Sequence, residues 1–387
     1  MTEYSMMVVF WIATCALLYA LFGYPIVLVV FARLSKRRAE NDFDELPRVT
    51  LIVPAHNEIK VIRQKLENIR GIDYPADRLE ILIGSDGSTD GTNEFVQANL
   101  PAGAKLIPFQ QRRGKASVVN DCVAASTADI VCLCDANVMF RPDALKRLVH
   151  RLADETVGAA TGQVILRSEE SDFGSGEATY YDLERQVQLA ESSVGSLIGV
   201  DGGMYVIWRS LYQPLPADTI LDDFVISMRV MRAKKRVVYE PDAIADENGT
   251  PLATQEWRRR VRVSAGAAQS LLRGDFPLLS TPVFFWQYLS HKLLRWMIPV
   301  FLIALYVSNL FLVSEHWFYT FSLAAQTSIY VIALLATWSL RFRSTRLGGV
   351  PFYFTMSNLA MLVGISKGIF NLQPVTWVQA DRSVQNA

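Results

Sequence analysis

A long run without any Asp, Glu, Lys or Arg constrains this chain more than any other feature. It covers residues 4–32, whereas about 20 apolar residues already suffice for a helix to cross a bilayer. A cleaved signal peptide is the alternative, but the run is too long for one and its basic residues follow it instead of preceding it. We therefore predict an N-terminal transmembrane anchor over residues 1–38.

Further uncharged stretches occur near the C-terminus, separated by short charged segments. They cover residues 296–314, 316–340 and 347–366. An apolar fraction of 51% and a mean hydropathy of +0.19 agree with a chain that is partly embedded in a membrane. The pattern predicts a multi-pass protein, with an α-helical transmembrane region of about three spans over residues 297–387.

Basic residues beside the spans predict the orientation in the membrane. They are Arg33, Lys36, Arg37 and Arg38 after the first run, and Arg341, Arg343 and Arg346 before the last. Because basic residues accumulate on the cytoplasmic side, the middle of the chain is expected in the cytoplasm. The formal net charge is zero, so we expect no nucleic-acid partner.

From residue 48 onward, short β-rich runs alternate with polar segments of helical periodicity. The runs VTLIVPAHNE, LEILIGSDGS, AKLIPFQ and ADIVCLCDAN each end in polar or small residues. The segments 60–70, 93–100 and 116–125 between them are predicted to be helices. Continuous apolar runs are typical of parallel strands covered on both faces. We predict an open α/β sheet whose ligands gather at the carboxyl ends of its strands.

The segment ILIGSDGSTDGT, residues 81–92, fits two kinds of ligand loop. Asp86, Ser88 and Asp90 alternate as in the first half of a helix-loop-helix calcium site. Such a site needs an entering helix and a Glu at its twelfth position, but here a strand precedes the segment and that position is Gln97. The sequence also lacks GxGxxG and Walker spacing. These observations favour a nucleotide loop of another kind.

The motifs, taken in order, resemble those of the family 2 glycosyltransferases. They are PAHNE, GSDGSTDGT, RRGKASVVN, DAN, LDDF and QEWRRRVR. Each is weak alone, but their order and spacing are similar to the membrane-embedded branch that includes hyaluronan, chitin, cellulose and poly-N-acetylglucosamine synthases. The resemblance implies an α/β GT-A domain, a Rossmann-like mixed sheet, over residues 48–250 and amphipathic interface helices over residues 251–296.

The resemblance also implies an activity and its setting. We expect an inverting glycosyltransferase of the inner (plasma) membrane that uses a nucleotide-sugar donor, with UDP as the nucleotide. Its acceptor would be lipid-linked or a polysaccharide, in exopolysaccharide or cell-surface glycan synthesis, with membrane or envelope partner subunits. The alternatives are a single addition to a lipid and a non-catalytic subunit that binds nucleotide sugars.

By this resemblance, contacts with the nucleoside fall on two loops. The P-x-x-N-E loop contributes Pro54, Asn57 and Glu58, and Asp86 takes the position of a carboxylate that accepts a hydrogen bond from uracil. The alternative is an ordinary turn in which Asn57 or Glu58 caps the next helix. Lys115 is expected beside the phosphates, where a cation is stabilising.

Asp135 and Asn137 stand at the polar positions of a D-x-D motif. A cation that bridges two phosphates needs only one or two protein oxygens and keeps several waters. The Asp135 carboxylate and a carbonyl oxygen of Asn137 would supply these oxygens. The resemblance implies Mg²⁺ or Mn²⁺ as the cofactor.

Asp222 and Asp223 stand where similar enzymes carry T/S-E-D. An inverting transfer needs a base for the acceptor hydroxyl, and the resemblance assigns that role to Asp223, with Asp222 orienting its neighbours. Paired carboxylates raise one another's pKa, which suits a base. An acidic first turn of a helix is the ordinary alternative. Gly202 and Gly203 resemble the small-residue loop that lets the acceptor sugar approach the backbone.

Residues 255–273 have the periodicity of an amphipathic helix. One face carries Trp257, Val261, Ala268 and Leu272, and the other carries Gln255, Arg258, Arg259 and Arg262. The helix is expected on the membrane with its arginines towards the catalytic domain. In the related Q/R-x-x-R-W motif an Arg holds the leaving diphosphate; Arg259 and Arg262 fill the polar positions in one alignment and Arg258 in another. Neither alignment supplies the Trp, and binding to anionic lipid is the alternative role for these arginines.

Other polar side chains are given no chemical role. Glu184 and Arg185 are expected at the surface of a helix over residues 180–193. His291, Lys292 and Arg295 lie among aromatic residues, as is typical of interfacial segments. We do not expect His291 to be catalytic.

Overall fold

The computed structural model describes residues 3–35, 42–167, 175–248 and 253–376. Lys36, Arg37 and Arg38, whose charges support the predicted orientation, therefore lie outside the described residues. The same holds for residues 377–387 at the end of the predicted C-terminal region.

The central part of the chain forms an eight-stranded mixed sheet. Its strands are β1 Val49–Ala55, β2 Leu79–Asp86, β3 Ala104–Phe109, β4 Ile130–Cys134, β5 Val138–Phe140, β6 Val157–Arg167, β7 Met204–Trp208 and β8 Arg236–Asn248. Their order is β3-β2-β1-β4-β7-β6-β8-β5. Neighbours from β3 to β4 are parallel, whereas β7 is antiparallel to both β4 and β6. The mixed Rossmann-like sheet expected of a GT-A domain is confirmed.

Helices cover both faces of the sheet and continue beyond it. They are α1 Glu3–Leu18, α2 Tyr24–Leu34, α3 Ile59–Arg70, α4 Thr92–Asn99, α5 Lys115–Ala125, α6 Ala144–His150, α7 Ser175–Val194, α8 Asp222–Arg232, α9 Ala253–Leu272, α10 Pro282–Gln287, α11 Leu294–Trp296, α12 Ile298–Leu312, α13 Trp317–Trp338, α14 Leu340–Arg343 and α15 Arg346–Ile369. The first three helices predicted after residue 48 are found as α3, α4 and α5, each within one residue of its predicted start.

The two faces of the sheet explain why the strands are continuously apolar. Every residue of β1 is buried. Side chains of α3, α4 and α6 pack on one face, and side chains of α5 and α8 pack on the other. A strand in the middle of such a sandwich has no face left for water, so alternation of polar and apolar residues disappears.

Several helices outside the sheet are long and apolar enough to cross a membrane. Within the described part of the chain they are the segments Glu3–Leu34, Trp317–Trp338 and Arg346–Ile369. A further candidate is the pair Pro282–Trp296 and Ile298–Leu312, which is bent by 57° at its break. These candidates fit the predicted α-helical transmembrane region, and the second of them along the chain is a bent pair of segments instead of one straight helix.

Helix α9 packs against other parts of the protein on two sides, and its position at the membrane surface stays a prediction. On one side Gly266 packs so closely on Leu221 that an added Cβ would lie 2.4 Å from its Cγ atom. On the other side Gly364 of α15 faces the Val261 carbonyl oxygen, and a Cβ on that glycine would lie 2.4 Å from it. Leu272, predicted on the apolar stripe, is 66% exposed. Helix α9 therefore joins the sheet domain to α15.

Glu184 is not a surface residue, and this expectation was wrong. Its carboxylate oxygens lie 3.1 Å from His291 Nε2 and 2.7 Å from Arg295 Nη1. About two helical turns later, Glu191 is fully buried and accepts hydrogen bonds from Tyr24 at 2.5 Å and from the His291 ring at 2.8 Å. Burial alone would raise the pKa of Glu184, but Arg295 and His291 hold it well below its usual range.

These contacts form a buried polar network between three elements. Glu184 and Glu191 lie on α7, Tyr24 begins the N-terminal helix α2, and His291 and Arg295 belong to the bent segment Pro282–Trp296. The helix predicted over residues 180–193 lies within α7, but its sequence could not show that Glu184 and Glu191 meet two other segments. The network therefore ties the candidate membrane helices to the sheet domain.

Replacing Glu191 by Gln is expected to destabilise the protein. The amide keeps the shape but loses the negative charge that Tyr24 and His291 share, and a buried hydrogen bond to a charged group is worth about 1.5–3 kcal/mol. We expect a fall of several kelvin in the melting temperature of the full chain in detergent. Glu94→Gln, an exposed position on α4, is the matched control. Equal melting temperatures for the two variants would contradict the role of the network.

Candidate active site

A single lysine lies at the centre of a cluster of carboxylates at the carboxyl end of the sheet. Lys115 Nζ lies 2.9 Å from Asp135 Oδ1 and 3.3 Å from Asp222 Oδ2, and its side chain is only 17% exposed. Burial alone would lower the pKa of Lys115, but Asp135, Asp222 and Asp223 together raise it. The ammonium group is therefore held firmly in its charged form.

The three residues of this cluster come from three separate elements. Lys115 is the first residue of α5, Asp135 directly follows β4, and Asp222 is the first residue of α8. Strand ends and helix starts meet at one edge of an α/β sheet, and this edge is where such folds bind ligands. The predicted site residues Lys115, Asp135 and Asp222 are thus brought together.

Asp86 supports the loop that places Lys115. It is completely buried, and its carboxylate oxygens accept the backbone N–H groups of Arg113 at 2.7 Å and Gly114 at 2.8 Å. Gly114 has φ +90°, a conformation that favours glycine. The Asp86 carboxylate therefore holds this loop. The contact between Asp86 and uracil that the resemblance implies stays a prediction.

The P-x-x-N-E loop is tied to the loop that follows β2. The Asn57 side-chain oxygen accepts the N–H of Thr89 at 2.8 Å, and the backbone N–H of Asn57 donates to Ser88 Oγ at 3.0 Å. Asn57 adopts φ +56°, a strained conformation for a residue with a side chain. Pro54 and Glu58 are buried beside it. The two loops expected to contact a nucleoside thus form one rigid surface.

Capping does not explain these residues. Neither Asn57 nor Glu58 makes a side-chain cap bond to α3. The N–H of Ile59 at the start of that helix donates instead to Asp90 Oδ2 at 3.1 Å. The alternative role of Asn57 and Glu58 as helix caps is therefore not what the structure shows.

Asp223 lies beside the glycine pair expected to face an acceptor. A Cβ on Gly202 would come within 2.8 Å of Asp223 Oδ2, so the backbone approaches the carboxylate as closely as only glycine allows. Burial, followed by the neighbouring charge of Asp222, raises the pKa of Asp223 to about 7. Gly203 links this loop to the lysine cluster, because its carbonyl oxygen accepts the N–H of Asp135 at 3.3 Å.

Asp201 is a residue of the site that the sequence analysis missed. Its Oδ1 atom accepts the N–H of Gly203 at 2.9 Å, and its own N–H donates to Thr161 Oγ1 at 3.1 Å. It therefore shapes the glycine loop from one side while Asp223 lies on the other. Its position immediately before the Gly-Gly pair was the available signal.

Among the arginines of α9, Arg262 faces the carboxylate cluster. Its guanidinium donates to the Ile220 carbonyl oxygen at 3.3 Å. Burial lowers the pKa of Arg262, while Asp222, Asp223 and Asp135 act in the opposite direction. Arg259 lies further out, with 57% of its side chain exposed and Glu256 as a partner at 3.3 Å. The alignment that places Arg262 in the diphosphate position agrees with this geometry better than the one that uses the exposed Arg258.

The donor set at Asp135 fits a hard divalent cation. The Asp135 side chain is 38% exposed although Lys115 contacts one of its oxygens, and a diphosphate-bridging Mg²⁺ needs only one or two protein carboxylates. Asn137 is buried, and its side-chain amide donates to Glu247 Oε1 at 2.5 Å. Within the described ranges no three His, Cys, Asp or Glu side chains form a complete metal cage. The site contains more carboxylates than basic side chains. A metal cation bound with the phosphates would offset this excess negative charge.

Comparisons with known proteins cover most of the chain. Residues 50–209 match the model of glycosyl transferase family 2, and residues 130–364 match that of glycosyl transferase family group 2. The poly-beta-1,6-N-acetyl-D-glucosamine synthase of Staphylococcus aureus is 25% identical over 277 residues, which cover 70% of this chain and 67% of that protein. The probable glycosyltransferase YdaM of Bacillus subtilis is 27% identical over 259 residues, 63% of this chain and 61% of that protein.

A solved structure has a similar fold. The mannosyltransferase PcManGT from Pyrobaculum calidifontis, in complex with GDP-Man and Mn²⁺, superposes with a TM-score of 0.70. It is 24% identical, and the match covers 94% of this chain and 100% of that chain. The likeness therefore extends beyond the sheet domain to the helices that follow it.

Asp223→Asn is expected to stabilise the protein when metal and nucleotide are absent. The pKa of Asp223 is about 7 in the folded chain and lies near 4 in an unfolded one, so its charge costs stability above pH 7 and costs less as the pH falls. The melting temperature of the variant should exceed that of the parent at pH 8, and the gain should shrink towards pH 5. The exposed Asp77→Asn serves as the control, and a variant that melts below the parent at pH 8 would overturn this expectation.

Proposed function

The chain belongs to glycosyl transferase family group 2 and is a glycosyltransferase, and we propose that it transfers a sugar from a UDP-sugar donor to a membrane-associated acceptor with inversion. The single observation that carries the proposal is the bridge from Lys115 to Asp135 and Asp222. Through this bridge, a single ammonium group contacts both Asp135 on the phosphate side of the site and Asp222 on the base side.

The donor side consists of cations and of two tied loops. Lys115 and Arg262 face the place where negative charge grows on the departing diphosphate, and preorganised charges there lower the barrier. Asp135, with a carbonyl oxygen of Asn137, would hold Mg²⁺ or Mn²⁺, which neutralises the diphosphate when bound. The exposed Arg259 would contact the donor from the rim. Pro54, Asn57 and Glu58 lie on the surface proposed for the nucleoside.

The acceptor side consists of Asp223 and the glycine loop. Asp223 takes the proton of the acceptor hydroxyl while that oxygen forms a bond to the anomeric carbon. The bond from that carbon to the diphosphate oxygen breaks on the opposite face, and its electron pair leaves with the diphosphate. Asp222 is held by Lys115 next to Asp223. Gly202 and Gly203 let the acceptor sugar approach the backbone.

We further propose a cytoplasmic catalytic domain at the inner membrane and a role in exopolysaccharide synthesis. Similarity to a poly-beta-1,6-N-acetyl-D-glucosamine synthase supports that role. The acceptor we propose is lipid-linked or a polysaccharide, and we propose membrane or envelope partner subunits. The N-terminal anchor, the sheet domain, the interface helices and the C-terminal helices follow one another as such an enzyme requires. Helix α9 would then lie where the catalytic domain meets the bilayer.

A single addition to a lipid is the second candidate. The observation that favours it is Val263, which is 41% exposed and stands directly after Arg262, where similar polymerising enzymes carry Trp. A flat aromatic ring binds a sugar face well, and valine does not replace it. Product length distinguishes the candidates: a ladder indicates polymerisation, and one discrete product indicates a single addition.

Purified protein in lipid is expected to release nucleotide from one class of donor. We would supply UDP-, GDP- and dTDP-sugars with Mn²⁺ or Mg²⁺, with and without membrane extract as a source of acceptor, and expect release from UDP-sugars. Asp223→Asn should abolish release and still bind the donor, because the phosphate contacts remain. Loss of donor binding in this variant would contradict the assignment of Asp223 as the base. Absence of release from every donor would favour the non-catalytic subunit.

The pH dependence of transfer should follow the ionisation of Asp223. Because burial and Asp222 raise its pKa to about 7, the ionised base declines as the pH falls below that value. We expect kcat/KM, which reports the free enzyme, to be about tenfold lower at pH 6 than at pH 8. In Asp222→Asn the midpoint should move to lower pH, since a neighbouring negative charge is removed. A flat profile between pH 6 and pH 8 would exclude a base with this pKa.

A further inference from the structure

Helix α3 carries a buried lysine that the proposed mechanism does not use. Lys65 is 1% exposed and lies among apolar core residues. None of the ion pairs found within the described ranges includes it. Burying an ammonium group is costly unless its donors are satisfied. The placement of Lys65 therefore needs a reason beyond packing.

All three groups around the Lys65 ammonium belong to one short segment. Its Nζ atom donates to the Val138 carbonyl oxygen at 2.6 Å and contacts Cys134 Sγ at 2.8 Å. It also lies 5.0 Å from the centre of the Phe140 ring, within range of a cation–π interaction. This segment, from the end of β4 through β5, contains Asp135 and Asn137.

Asn68 extends the same contact by one helical turn. Its side-chain amide donates to the Phe140 carbonyl oxygen at 2.7 Å, and its oxygen accepts the Phe140 N–H at 2.9 Å. Residues three apart lie on one face of a helix. One face of α3 therefore holds the segment at its middle through Lys65 and at its end through Asn68.

We propose that Lys65, assisted by Asn68, is a positioning residue for Asp135 and thus for metal-dependent binding of the nucleotide diphosphate. Within the segment that α3 holds, the N–H of Val138 donates to the Asp135 carbonyl oxygen at 3.2 Å. This hydrogen bond closes a turn. The turn directs the Asp135 carboxylate towards Lys115. This inference rests on the proposed function, because it assigns the support of the cation site described there.

Lysine suits this position better than an apolar residue of equal length. Its ammonium group has three donors, which point to a carbonyl, a thiol and a ring at the same time. Methionine would fill the volume but leave the Val138 carbonyl without its donor. The turn would then be free to relax, and the Asp135 oxygens would lose their fixed direction. Supporting contacts of this kind typically change metal affinity about 10–100-fold.

The test compares Lys65→Met with Lys60→Met, an exposed lysine on the same helix. Binding of UDP and of GDP to the full chain in detergent would be measured by calorimetry, with and without Mn²⁺. We expect Lys65→Met to weaken Mn²⁺-dependent nucleotide binding about 10–100-fold and to leave metal-independent binding unchanged. Lys60→Met should match the parent in both measurements. Asn68→Ala should change binding in the same direction by a smaller factor, and it decides the matter if Lys65→Met does not fold.

The outcomes separate this inference from the proposed function. If the parent binds nucleotide more tightly with Mn²⁺ and both Lys65→Met and Asn68→Ala retain that gain, the positioning role is wrong and the proposed function stands. If the parent binds neither UDP nor GDP under any condition, both are overturned. An equal loss of binding with and without Mn²⁺, at an unchanged melting temperature, would also exclude a role specific to Asp135.

Discussion

The ion pairs of Lys115 are the constraint on which the rest of the site depends. One ammonium group, mostly buried, joins the start of α5, the end of β4 and the start of α8. Without it the carboxylates of Asp135 and Asp222 would repel one another at close range. The backbone must also present the lysine from the correct direction, and the buried Asp86 fixes the loop that does so. Sheet topology, loop and charge therefore determine the site together.

Helix α9 connects this site to the candidate membrane helices. Arg262 reaches the carboxylate cluster from one side of α9, while Val261 and Ala265 on its other side lie against glycines of α15. The missing side chains of Gly364 and Gly368 allow the two helix backbones to approach closely. Arg262, a cationic side chain of the candidate site, thus belongs to a helix whose position is set by α15.

Sequence patterns predicted the elements of the fold well and their long-range contacts less well. Apolar runs located β1, β2, β3 and β4, and the resemblance to family 2 glycosyltransferases placed Lys115 and Asp135 on the phosphate side of one site. The pattern could not show that Asp86 bonds to a loop, that Glu184 meets Arg295, or that Lys65 holds the segment after β4. Each of these contacts joins residues far apart in the chain, and local periodicity contains no information about such partners.

Two buried polar networks in this chain differ in their balance of charge, and the difference follows their tasks. At the junction of α2, α7 and the bent segment, Glu184 and Glu191 meet Arg295 and His291, so each carboxylate has a basic partner. In the site, Asp135, Asp222 and Asp223 share Lys115, and the pKa of Asp223 is raised to about 7. A balanced network stabilises the fold by itself. An unbalanced one is stabilised when substrate and cation bind, and it retains a carboxylate basic enough to accept a proton.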